Sequence, residues 1–260
     1  MTNTNTSFVK RHALVLFFVL AYGFSWGTFF IMGGPFVFAL GALLAAFIMT
    51  SLTGGLKDLL SRMFRWRVGI QWYAAALLVP ATIATAALYL NVLLGAPVPT
   101  AAQLGPWYGL FLLFPGALLD APFWEETGWR GFALPRFAGN RSPFFNTLIL
   151  ALLVTGWHLP IALSERAITA PYLFGAFSSA FVTNWVYYNT RGSALLPMLY
   201  HTAANTVGPY FFSMFSGSEQ VRYYWLLASM TLVAAAVVIV VTGPTLQRQP
   251  RRPVEPAPAL

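Results

Sequence analysis

The chain has 260 residues, of which 58% are hydrophobic, 17% aromatic and only 8% charged, with a mean hydropathy of +0.66. A soluble domain of this length cannot bury that much apolar surface, so a soluble fold is disfavoured. The net charge of +8 lies in short basic clusters between apolar runs. That pattern fits membrane orientation and gives no sign of a nucleic-acid partner. Cysteine is absent, which removes disulfides, iron–sulfur clusters, thiolate zinc sites and a cysteine nucleophile together.

Lys10 and Arg11 precede an apolar run that reaches Ile31 without a small-residue cleavage site, so this segment reads as a retained first helix, not a signal peptide. About eight stretches approach the length needed to cross a bilayer, at residues 13–31, 36–52, 71–94, 107–124, 143–163, 172–188, 194–212 and 223–241. Lys10 and Arg11, Lys57, Arg62, Arg65 and Arg67, Arg130, Arg136 and Arg141, Arg191, and Arg248, Arg251 and Arg252 all fall on one side of these spans. Arg166 and Arg222 fall on the other. The expected fold is all-α: a polytopic bundle of about eight transmembrane helices with both termini cytoplasmic. Residues 1–243 form one transmembrane domain, with the polar motifs in 120–205. Residues 244–260, with Pro244, Pro250, Pro253, Pro256 and Pro258 among arginines, read as a disordered cytoplasmic tail. Gly23 and Gly27 make a small-xxx-small pair that serves either a dimer face or close packing within one bundle, so the oligomeric state stays open. No internal repeat or second domain is visible.

Ionisable side chains in hydrocarbon are costly, so those inside or at the ends of the spans are informative. They are Asp120, Glu125, Glu126, Arg130, His158 and His201; His12, beside Lys10 and Arg11, is interfacial. On a helix Glu126 and Arg130 are i,i+4 and pair, whereas Glu125 is rotated by about 100° and left without that partner. A desolvated, unpaired carboxylate suits a general base, the alternative being a charged helix end in the headgroup layer. His158 lies deep in an apolar helix that Pro160 kinks, where it either satisfies a freed carbonyl or joins a site. His201 and Asn205 are i,i+4 on another helix and project from one face, as hydrogen-bond glue or as part of a site. Three helices each carrying such groups are most economically satisfied by one convergent polar site.

A Glu, two His and an Asn, with no evident Ser or Cys nucleophile, support water activation and attack on a carbonyl. Glu125 with His158 would hold and deprotonate the water, and His201 with Asn205 would stabilise the oxyanion. Zinc held by His158, His201 and Glu125 is the competing chemistry. A His-Glu-x-x-His pair is absent and Asn is a poor zinc ligand, so the version without metal or other cofactor is favoured. The alternative outside catalysis is a membrane scaffold or a transporter, although the inverted repeats of a transporter are not visible.

Counting 1.5 Å per residue puts Glu125 about 27 Å from the outer end of its helix. His158 then lies about 21 Å and His201 about 10 Å from the cytoplasmic face. These depths agree only if the fourth helix breaks near Asp120 and Pro122 or the fifth projects beyond the membrane. A polar cavity is expected, open to the cytoplasm or laterally to lipid. Trp124, Trp129 and Trp157 either line an apolar slot in it or serve packing.

These residues resemble the intramembrane endopeptidases that include the type II CAAX prenyl proteases and the bacteriocin-processing and immunity proteins, the CPBP or Abi group. That family pattern is Glu-Glu-x-x-x-Arg, then Phe-x-x-x-His, then His-x-x-x-Asn or Asp, on separate helices of an eight-helix bundle. Glu125, Glu126 and Arg130 match the first motif, with Gly131 its usual continuation; His158 matches the second, and His201 with Asn205 the third. Val154 departs from the pattern where the family often has phenylalanine. The resemblance implies a glutamate-type protease in which Glu125 and His158 activate water and His201 and Asn205 form the oxyanion hole, with Glu126 and Arg130 in support. It implies membrane lipids and a peptide or protein substrate as partners. The short loops look prokaryotic, which points to a multi-pass protein of the cell membrane and to a substrate other than prenylated CAAX proteins.

Overall fold

In hydrocarbon every backbone N–H and C=O must be bonded within the protein, which favours helices. The computed structural model describes residues 8–34, 38–106, 108–137, 139, 141–164 and 167–247, and among these no strand occurs. In chain order the α-helices of five or more residues are α1 (Ala13–Met32), α2 (Leu40–Thr53), α3 (Leu56–Met63), α4 (Ile70–Leu93), α5 (Gly109–Asp120), α6 (Pro122–Glu126), α7 (Pro143–Trp157), α8 (Leu159–Ser164), α9 (Thr169–Asn189), α10 (Leu195–Phe212) and α11 (Gly217–Thr242). Each predicted span has a helical counterpart. Three of them, Ala13–Met32, Ile70–Leu93 and the segment Gly217–Thr245, are long and apolar enough to cross a membrane. Their outward faces carry exposed Ile31, Leu93 and Val240, an apolar surface suited to lipid.

Two predicted spans are broken, each beside a proline. Ala121 leaves helical geometry (φ −135°, ψ −47°) between α5 and α6, because the residue before Pro122 is disfavoured in a helix. Pro122 then starts α6, and α6 widens directly into a π-helix at Thr127–Ala133. The second break falls at His158, between α7 and α8, two residues before Pro160. At its other end α7 starts cleanly, with Pro143 in the first turn and the Ser142 hydroxyl accepting from the Phe145 N–H at 3.2 Å.

α1 and α2 pack on the π-helix and α7 around Phe17, Ala42, Trp129, Phe132 and Trp157. A second core joins α4, α9, α10 and α11 through Trp72, Phe181, Leu196 and Tyr200. The amphipathic α3, which the span count passes over, carries the arginine-rich end. Arg62 bonds Asp58 at 3.0 Å and the Tyr187 hydroxyl at 3.1 Å, while its carbonyl accepts from Ala194 N–H at 2.9 Å. Ser193 donates to the Arg65 carbonyl at 2.8 Å, and Arg65 and Arg191 donate to the carbonyls of Arg191 and Arg67. The loops at 62–67 and 190–194 thus form one end of the bundle. Arg222, bonded to Asn91 Oδ1 at 2.7 Å, marks the other. Arg130, grouped with the orienting cations in the sequence, is instead buried inside the bundle. Arg166, Arg248, Arg251 and Arg252 lie outside the described residues, as does the tail from residue 248 onward. The packed chain continues past 243: Leu246 is buried and its carbonyl accepts from Asn189 Nδ2 at 2.8 Å.

Close packing between helices falls on other glycines than Gly23 and Gly27, where an added Cβ would meet nothing within 4 Å. On Gly128 a Cβ would lie 2.8 Å from both the Cβ and the carbonyl oxygen of Ala42, so the π-helix and α2 touch backbone to backbone there. Gly128→Val should therefore lower the stability of the detergent-solubilised protein by about 1–3 kcal/mol. Gly23→Ala should leave its melting temperature unchanged or slightly higher. Equal melting of Gly128→Val and the wild type would refute this contact.

Candidate active site

Asp120, Glu125, Glu126, Arg130, His158, His201 and Asn205 all line one cavity of about 380 Å³ between α4, α6, α9, α10 and α11. The convergence expected from three separately polar helices is what the bundle contains. The break at Ala121 lets α6 re-aim its two glutamates, and α7 supplies the rest of the depth. His158 stands fifteen residues into α7 and His201 six into α10, so α7 begins about 13 Å nearer the arginine-rich end if the two run parallel.

Glu126 is the better-bonded carboxylate. It is 1% exposed, and Arg130 Nη1 reaches its two oxygens at 2.9 and 3.0 Å. His201 Nδ1 donates to Glu126 Oε1 at 3.0 Å. Arg130 Nε donates to Asn184 Oδ1 at 2.8 Å, and Asn184 Nδ2 to the Thr147 hydroxyl at 3.0 Å. Four helical segments, α6 with its π-helix, α7, α9 and α10, are thereby joined through a single chain of buried polar contacts. Asn184 and Thr147 were not among the sequence candidates. Their sole signal is a polar pair inside two apolar spans, which ordinary interhelical hydrogen bonding also produces.

Glu125 is 4% exposed and lacks such a clamp. Trp129 Nε1–H points to its Oε2 at 3.4 Å, and His158 Nε2 stands 3.7 Å from the same oxygen. His158 Nδ1 lies 2.8 Å from the Val154 carbonyl, an acceptor, so this nitrogen carries the proton. In the neutral ring Nε2 then bears a lone pair beside Glu125. The reading of His158 as a residue satisfying a helix carbonyl and the reading of it as a site residue are both met, one by each nitrogen. Tyr172, which nothing in the sequence singled out, lines the same cavity with its ring 5.7 Å from that of His158. Asn205 lines the cavity with no hydrogen bond to the described residues.

Two alternatives that the sequence leaves open are narrowed. Trp129 and Trp157 are fully buried in the core with Phe17 and Phe38, and neither these nor Trp124 lines the cavity. The cavity also does not face the arginine-rich end. Its lining runs from Pro171 to Thr183 on α9 and from Tyr224 to Thr231 on α11, mostly in the parts of those helices away from the loops at 62–67 and 190–194. A lateral approach fits better, past α5, none of whose residues is buried.

Breaking a buried ion pair from one side leaves a desolvated charge and costs about 3–5 kcal/mol. Arg130→Met should destabilise the protein by about that amount, and Asn184→Ala by about 1–3 kcal/mol. Both are read by thermal unfolding in micelles; wild-type stability in Arg130→Met would show that the buried pair does not hold the helices together.

Comparison with known proteins adds one match. The family described as Rce1-like, type II CAAX prenyl endopeptidase Rce1-like, matches residues 105–207. No curated protein matches the chain. The matched segment spans α5 to α10 and contains every residue of the three motifs, in agreement with the resemblance drawn from them. Residues 105–207, the part of this membrane protein that builds the polar site, are thus similar to the Rce1-like family of type II CAAX prenyl endopeptidases.

Proposed function

We propose that the chain is a glutamate-type intramembrane endopeptidase of the cell membrane, hydrolysing a peptide bond of a membrane-associated or lipidated substrate without a metal ion. The observation that carries this reading is the unequal treatment of two adjacent carboxylates: Glu126 is saturated by Arg130 and His201, while Glu125 faces the cavity beside His158 Nε2. Glu125 and neutral His158 are both acceptors. A water between them donates one O–H to each and turns its lone pair toward a substrate carbonyl. As that lone pair bonds to carbon, Glu125 takes the proton, and on collapse it returns the proton to the departing amine nitrogen.

Charge then develops on the carbonyl oxygen, and the free amide of Asn205 with His201 on the same face of α10 supports the role of oxyanion hole. His201 commits its Nδ1–H to Glu126, so it offers an Nε2–H to the oxyanion only as an imidazolium. Glu126 and Arg130 act through this ring and hold it in place. Support for a metal-free reaction comes from the donor arrangement. Among the described residues no group of three or more His, Asp or Glu side chains is placed around a point that a metal ion could occupy.

The test is peptide hydrolysis by purified protein in micelles against a mixed library that includes lipidated C-terminal peptides, followed by mass spectrometry. Glu125→Gln should lower turnover by at least about a thousandfold. Asn205→Ala should lower kcat by about 10²- to 10³-fold. Chelators should leave turnover unchanged. Identical products from wild type and Glu125→Gln would sink the proposal in favour of a scaffold or transporter, and loss of activity on chelation would replace the metal-free step.

A further inference from the structure

A separate cavity of about 330 Å³ lies at the arginine-rich end of the bundle, lined by Lys10, Arg11 and Arg136 with Leu14, Thr53 and Gly54 among its walls. Three segments distant in the chain build it: the turn before α1, the end of α2, and the 3-10 turn Leu134–Arg136 that follows the π-helix. Among the described residues no carboxylate lines it, and none of the three cations has an ion-pair partner. Asp58 and Arg62 act on Arg136 from α3, but they are bonded to each other at 3.0 Å and largely cancel. His12 keeps its Nδ1 at 3.0 Å from the Phe8 carbonyl and stays out of the lining.

Arg136 is fixed in a way that a solvated surface cation is not. Its Nη1 donates to the Phe132 carbonyl at 2.8 Å, and its guanidinium carbon lies 3.7 Å from the centre of the buried Phe132 ring. Nη2 is turned toward the turn between α2 and α3, where a Cβ built on Gly55 would lie 3.7 Å from it. A half-buried guanidinium held facing two more cations calls for an anion, and its planar fork of donors matches a phosphate. The position of the cavity says where that phosphate comes from. α1 has 20 residues, a rise of about 30 Å that equals the hydrocarbon thickness, so Lys10 and Arg11 in the turn before it stand in the headgroup layer. Lipid phosphates occupy that layer in any bilayer. Next to the lining residues, Val15 and Val19 on α1 and Leu52 on α2 are exposed, an apolar surface that acyl chains cover and that a free phosphate would not need.

We propose that this cavity binds the phosphate of an anionic membrane lipid, held by Arg136 with Lys10 and Arg11, while the acyl chains of that lipid lie along α1 and α2. The site stands whether or not the polar cavity is that of a protease. An occupant ties the start of α1 and the end of α2 to the turn that closes the π-helix, and so braces the segment that carries Glu125 and Glu126.

The full chain in neutral detergent micelles is titrated with phosphatidylglycerol, with phosphatidylcholine of the same acyl chains, and with inorganic phosphate. Bound lipid is counted by native mass spectrometry, and the melting temperature is followed in parallel. Phosphatidylglycerol should be retained at one molecule per chain, at least about tenfold more tightly than phosphatidylcholine, and should raise the melting temperature. Arg136→Gln, and Lys10→Gln with Arg11→Gln, should weaken that retention by about fivefold for each cation removed. Arg67→Gln with Arg141→Gln removes two exposed cations that do not line the cavity, and should leave it unchanged. The ratio of the two lipids within one variant does not depend on how much of it is folded. Equal retention of both lipids by the wild type, a ratio unmoved in the lining variants, or an equal loss in Arg67→Gln with Arg141→Gln overturns the proposal. Stabilisation by millimolar inorganic phosphate as large as that by phosphatidylglycerol would keep the phosphate site and remove the lipid as its occupant.

Discussion

The buried ion pair between Glu126 and Arg130 is the contact on which the arrangement of this bundle depends. Taken alone, each charge would be prohibitively unfavourable in hydrocarbon. Together, and with His201 and Asn184 filling the remaining bonding positions, they become a fixed point to which α7, α9 and α10 are tied through polar contacts. The apolar cores on either side of that point are built from side chains that lipid would solvate as well as protein does. Directional polar bonds therefore do more to set which helices face one another than apolar burial does.

The same pair separates two residues that chain position makes near-equivalent. Glu125 and Glu126 are neighbours, yet one helical step of about 100° sends Glu126 into the polar chain and Glu125 into the cavity. The break at Ala121 is part of this. A continuous helix through Pro122 would carry α5 and α6 along one axis, and the depths of Glu125, His158 and His201 would not match. Freed backbone at such a break is tolerable where it borders a protein cavity, which is where α6 lies. The π-helix that follows brings Gly128 against Ala42, so the residues flanking the glutamates are wedged by α2 as firmly as the glutamates are bonded by α9 and α10.

Much of this was legible along the chain. Helix positions follow from runs of apolar residues, because the length of a membrane helix is set by hydrocarbon thickness, and the break near Pro122 follows from proline's missing N–H. The pairing of Glu126 with Arg130 follows from i,i+4 geometry, and the convergence of His158, His201 and Asn205 follows from the cost of isolated polar groups in lipid. What the sequence could not decide were matters of which helix lies beside which. Asn184 and Thr147 read as ordinary polar residues until α9 and α7 are placed against Arg130. Trp129 and Trp157 read equally well as lining or core until α1 and α2 cover them. The direction in which the cavity faces depends on the relative heights of α7, α9, α10 and α11. Periodicity and spacing are local and report which face of a helix is polar, but the partner that face meets is set by packing between segments far apart in the chain, and only the tertiary structure contains it.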